Sequence, residues 1–95
     1  MNFEENIDKY SEILESGNPV ILSFEELVNV TQTLDYICMH IIQTHSQEYL
    51  DKLQFFADQT SNENVAYCAQ SQLKSYHEAY DSNDRILWKL LKQVA

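Results

Sequence analysis

The sequence predicts an all-α protein, a compact four- or five-helix antiparallel bundle around a central helix at about residues 24–44. Three observations predict it. The 95 residues contain one glycine and one proline, Gly17 and Pro19, too few for a turn-rich β architecture. Apolar residues recur at three- and four-residue spacing in segment after segment. Residues that cap helices stand just before several of those segments. A chain of this length makes one domain, residues 1–95, and buries roughly 60–65% of its unfolded surface.

The first helix comes from Phe3, Ile7, Tyr10 and Leu14 on one side, with Ile13 beside them. Glu4, Asp8, Glu12 and Glu15 recur on the opposite side, and with Glu5 they occupy about a quarter to a third of the circumference. Gly17 supplies the stop and Pro19 prevents continuation. The second helix opens on a capping box, Ser23 with Glu26, closed by a Leu22–Leu27 staple. Its apolar set is broad: Phe24, Leu27, Val28, Val30, Thr31, Leu34, Ile37, Cys38, Ile41 and Ile42. A helix apolar over more than half its surface is expected to have neighbours on several sides.

A break near Thr44–Gln47 separates a third helix, which buries Tyr49, Leu50, Leu53, Phe56 and Ala57. Residues 58–64, DQTSNEN, form a polar link in which Thr60 and Glu63 offer another capping box. The fourth helix buries Val65, Cys68, Ala69, Leu73, Tyr76 and Tyr80. The stretch DSND at 81–84 ends it and caps a last helix striped by Ile86, Leu87, Leu90, Leu91 and Val94. Short links favour antiparallel neighbours.

The net charge of −9 is unevenly spread. Residues 1–51 hold ten carboxylates against Lys9 alone, whereas residues 52–95 hold five acids and five bases. Such a field repels nucleic acid and anionic membrane and attracts basic partners. Cys38 and Cys68 lack a paired spacing, the N-terminus has no apolar signal core, and the longest apolar run, residues 37–42, is too short to span a bilayer. A cytoplasmic protein with reduced thiols is expected.

Glycine loops that cradle phosphates are excluded by the single glycine. No metal or other cofactor is expected: Cys38, His40 and His45 share a helix, but His40 projects about 160° from its reference face while Cys38 points inward. His77 precedes Asp81 by four residues, a spacing that allows a pair, yet no nucleophile or pocket accompanies it. Catalysis is therefore not expected.

What remains is recognition. Dipole compensation accounts for Glu4 and Glu5 at the start of the first helix, but not for Glu12 and Glu15 near its end, where carboxylates are unfavourable. The expectation is a small acidic binding protein that inhibits a basic enzyme, such as a bacterial immunity protein or antitoxin acting on a nuclease toxin. Its field would come from Glu4, Glu5, Asp8, Glu12, Glu15, Glu25 and Glu26, with Tyr10, Tyr67 and Trp88 as anchors. Trp88 stands off the last apolar stripe, beside Arg85, Lys89 and Lys92. Asp35 projects into the apolar arc of the second helix. There it either bonds a tyrosine hydroxyl or a lysine, or faces the partner. The same acidic face suits a phage-type nucleic-acid mimic acting on a host defence protein, and an apolar groove would suit a helical adaptor or secretion chaperone. Neither direct nucleic-acid nor membrane binding is expected, and the chain is expected to be a monomer or small homo-oligomer.

Overall fold

The computed structural model describes residues 2–78, which form four packed α-helices with no strand among them. They are α1 (Phe3–Glu15), α2 (Phe24–Thr44), α3 (Gln47–Asp58) and α4 (Glu63–Glu78). The expected fifth helix, with Trp88, the DSND cap and Asp81, lies outside the described residues, as does Tyr80.

Local signals set most helix ends. Asn2 caps α1 by accepting from the Glu5 amide at 3.2 Å. Beyond Ser16 the chain turns at Gly17, whose φ of +74° lies in the left-handed region that glycine enters without penalty. The Ser23–Glu26 box is closed in both directions at 3.1 and 3.2 Å. The break between α2 and α3 takes two residues. His45 enters the left-handed region at φ 53° while its amide donates to the Ile41 carbonyl at 2.9 Å, and Ser46 then accepts from the Tyr49 amide at 3.3 Å. A link this short forces α3 back along α2.

The start of α4 departs from the expected box. Asn62, not Thr60, is the cap: its Oδ1 accepts from the Val65 amide at 3.1 Å. Its Nδ2 also donates to the Val20 carbonyl at 2.9 Å, tying the α4 start to the chain entering α2. Val20 returns an amide bond to the Ser61 carbonyl at 2.8 Å, and the buried Ser61 hydroxyl donates to the Leu14 carbonyl at 3.0 Å. The last turn of α1, the approach to α2 and the start of α4 are thus sewn together, so α4 runs alongside α2 in the same direction.

The core joins Ile7, Tyr10 and Leu14 of α1, Val30, Leu34, Ile37 and Ile41 of α2, Leu53, Phe56 and Ala57 of α3, and Val65, Ala69 and Leu73 of α4. Tyr49, Leu50, Cys68 and Tyr76 pack half-buried at its margin. Helix α2 touches all three others, and so does α3; α1 and α4 do not meet.

Two details of α2 correct the sequence reading. Phe24, Val28 and Ile42 are exposed, whereas Thr33 is buried with its hydroxyl donating to the Asn29 carbonyl at 2.8 Å. The apolar arc is wider than the surface its neighbours cover, and packing selected one flank of it.

Candidate functional site

Burial of Ile7, Tyr10 and Leu14 fixes the rotation of α1, and the opposite side carries Glu4, Glu5, Asp8, Glu12 and Glu15, all exposed. Among the described residues none of these five is ion-paired. The only cation of the helix, Lys9, places its Nζ over the Tyr10 ring, 5.2 Å from the centroid.

Glu4 has a second task. The hydroxyls of Tyr36 on α2 (2.8 Å) and Tyr49 on α3 both donate to its Oε1. The bond from Tyr49, then that from Tyr36, hold this carboxyl below its ordinary value of 4.5, against the opposing pull of burial. The same bonds push both tyrosines above their ordinary value of 10.0. Because the Tyr36 proton goes to Glu4, the Tyr36 oxygen is left to accept from His40 Nε2, 3.0 Å away. The rings reinforce this clasp. Phe3 stacks on Tyr36 with centroids 4.9 Å apart, and His40 on Tyr49 at 4.5 Å. Three helices are thereby tied at one end of the acidic face, with Glu4 kept ionised.

At the other end, Glu15 faces α3 across a shallow groove of about 440 Å³, lined by Ser11, Glu15, Glu48, Asp51, Lys52 and Phe55. Lys52 pairs with Glu48 at 3.5 Å, and its Nζ also lies over the Tyr49 ring at 5.1 Å. Glu48 and Asp51 carry the negative surface from α1 onto α3. Sequence reasoning left them out of the site, although their three-residue spacing on the polar side of α3 is visible there.

The remaining candidates separate. Glu25 is exposed in the first turn of α2. Glu26 is engaged as the cap, its carboxyl held below 4.5 chiefly by the Ser23 backbone amide. Tyr10 is buried, 1% exposed, and cannot be a surface anchor. Tyr67 is 72% exposed and keeps that possibility; Trp88 lies outside the described residues. Asp35 is exposed because the flank of α2 that bears it is uncovered. Its partner is neither a tyrosine nor a lysine but the Gln72 side-chain amide of α4, which donates to Oδ1. Burial, then the nearby Asp35 charge, pushes the Cys38 thiol above its ordinary value of 9.0.

Among the described residues no three His, Cys, Asp or Glu side chains converge as a metal set, and no helix is long and apolar enough to cross a membrane. No protein-family model, curated protein or solved structure matches the chain.

Proposed function

We propose that this chain is a binding protein that inhibits a basic enzyme, of the immunity or antitoxin kind, with a nuclease toxin as the candidate target. The observation that carries this reading is the uncompensated acidic face of α1, extended by Glu48 and Asp51 on α3. Glu12 and Glu15, which neither pair internally among the described residues nor balance the helix dipole, raise the free energy of the isolated chain through repulsion, and a cationic surface relieves it. Nuclease clefts are cationic because they hold phosphates, and charge-assisted bonds from arginine and lysine to an acidic helix can fill them. On this reading the chain acts by occupation, not by catalysis. A second reading, a helical adaptor for an amphipathic segment, draws on the exposed apolar flank of α2.

The test expresses the reading frame adjacent to this one in a bacterial host, alone, with this chain, and with its E5K/D8K/E12K variant. Each of the three side chains is exposed, so each reversal changes stability by within about 0.5 kcal/mol. The expected result is killing by the neighbour, rescue by the natural chain and no rescue by the folded variant. Binding of the two purified proteins should weaken steeply as salt rises. Rescue by the variant, or salt-insensitive binding, overturns the acidic face; a neighbour that is harmless or kills regardless overturns the inhibitor reading.

A further inference from the structure

The groove between α1 and α3 has walls of one helical row each. Ser11 and Glu15 stand four residues apart on α1, and Glu48, Asp51, Lys52 and Phe55 follow at i, i+3, i+4 and i+7 on α3, over about 10 Å of axis. Its aromatic wall is the half-buried Phe55, whose ring packs against that of Phe56 with centroids 5.4 Å apart. One cation is already seated beside the groove. Lys52 Nζ stands 3.5 Å from Glu48 Oε1 and 5.1 Å from the centroid of the Tyr49 ring, so it bridges a carboxylate and an aromatic face. On opposite walls, Glu15 and Asp51 are in no ion pair among the described residues. Asp51 accepts only a neutral amide there, from Gln47 Nε2 at 2.9 Å. The groove thus holds two carboxylates and a ring in the combination that seats Lys52, without a cation of their own among the described residues.

The chemistry of an occupant follows from these walls. Among the described residues no three carboxylates or imidazoles converge as a metal set, so a compact divalent ion has no cage here. Nucleic acid is repelled by the same carboxylates. An ammonium is strongly hydrated and has no apolar face to lay on a ring. A guanidinium is planar and weakly hydrated, stacks on aromatic faces, and carries five N–H donors at its edge for carboxylates on either side. We propose that this groove receives an arginine side chain of the basic partner, its plane on the Phe55 ring and its N–H groups shared between Glu15 and Asp51. Glu48 has a separate part: it holds the Lys52 ammonium against Tyr49, where it competes least with the incoming cation. The assignment rests on the inhibitor reading for the existence of a basic partner, and it names the group of that partner that the chain holds. Arginine is among the residues that dominate interface energetics, and a cation that is both stacked and paired on two sides is placed to do so.

The test needs no partner protein. The isotope-labelled full chain is titrated at low salt with the peptide acetyl-Gly-Arg-Gly-amide and followed by amide chemical shifts. Two counterpart peptides carry lysine, which keeps the charge without the plane, or citrulline, which keeps the plane without the charge. The expected result is a saturable shift of amides in 11–15 and 48–55 with the arginine peptide, binding severalfold weaker with lysine, and no saturable shift with citrulline. E15Q/D51N should weaken arginine binding severalfold. Both side chains are exposed, and the asparagine oxygen still accepts from Gln47, so this variant keeps the fold. E63Q/E78Q removes the same two charges from α4, which does not touch α1, and should leave the binding nearly unchanged. Phe55→Leu keeps an apolar wall without the ring and should weaken binding as well. Equal weakening by the two double variants, shifts spread evenly along α1, or equal affinity for arginine and lysine overturns the proposal. A harmless neighbouring frame would remove the inhibitor reading and leave these shifts in place, whereas loss of the groove would leave rescue through Glu5, Asp8 and Glu12 in place.

Discussion

Replacing Glu4 with glutamine removes one negative charge and leaves the side-chain shape nearly unchanged. In the folded chain that charge accepts two tyrosine hydroxyls on one oxygen. A shielded hydrogen bond to a charged group contributes about 1.5–3 kcal/mol. Glu4 is exposed, and solvent competition reduces polar pairs at such sites to about 0–1 kcal/mol. The glutamine carbonyl still accepts neutral bonds, so the expected loss is about 0.5–1 kcal/mol at pH 7. For a domain this small, each kcal/mol lowers Tm by about 4–8 °C. The sign with pH follows from the lowered Glu4 carboxyl. Its stabilisation is present above the ordinary value of 4.5 and is lost as pH falls through the lower folded value. The gap between the natural chain and Glu4→Gln should therefore be full at pH 7 and narrow toward pH 3. Glu5→Gln is the control. Glu5 occupies the same first turn and feels the same helix dipole, but no tyrosine bonds it among the described residues. Urea unfolding followed by circular dichroism, on all three proteins at both pH values, measures the difference. Equal losses for the two variants at pH 7, or a Glu4→Gln gap unchanged at pH 3, would refute the clasp.

Leu34 is fully buried in α2, and Leu34→Ala should cost about 2–5 kcal/mol in the same unfolding assay. A loss under about 0.5 kcal/mol, the range of an ordinary surface change, would remove α2 from the centre of the core. Asp35→Asn should speed alkylation of Cys38 at fixed pH, because the Asp35 charge helps to hold that thiol above its ordinary value. Mass-spectrometric labelling rates report it, and an unchanged rate would mean that burial alone sets the reactivity of Cys38.

The sequence by itself determined the four helices α1 to α4. The α1 stripe, the Gly17 stop and the Ser23–Glu26 box all depend on residues within four positions of one another, where helical geometry dictates the contact. The acidic face of α1 was legible for the same reason: once Ile7 and Leu14 point inward, Glu12 and Glu15 have to point out.

Tertiary structure decided what periodicity leaves open. The apolar arc of α2 does not say which flank its neighbours cover, and packing against α1, α3 and α4 buried Thr33 while leaving Phe24 exposed. Tyr10 is polar enough for a surface anchor and apolar enough for a core, and the contact of α1 with α2 and α3 placed it inside. Asn62 prevailed over Thr60 as the α4 cap because its amide also reaches the Val20 carbonyl, a partner 42 residues away. The Glu4 clasp spans 32 residues to Tyr36 and 45 to Tyr49. Such contacts depend on how whole helices rotate and slide against one another, and that is set by the fit of side chains across the core rather than by any local spacing.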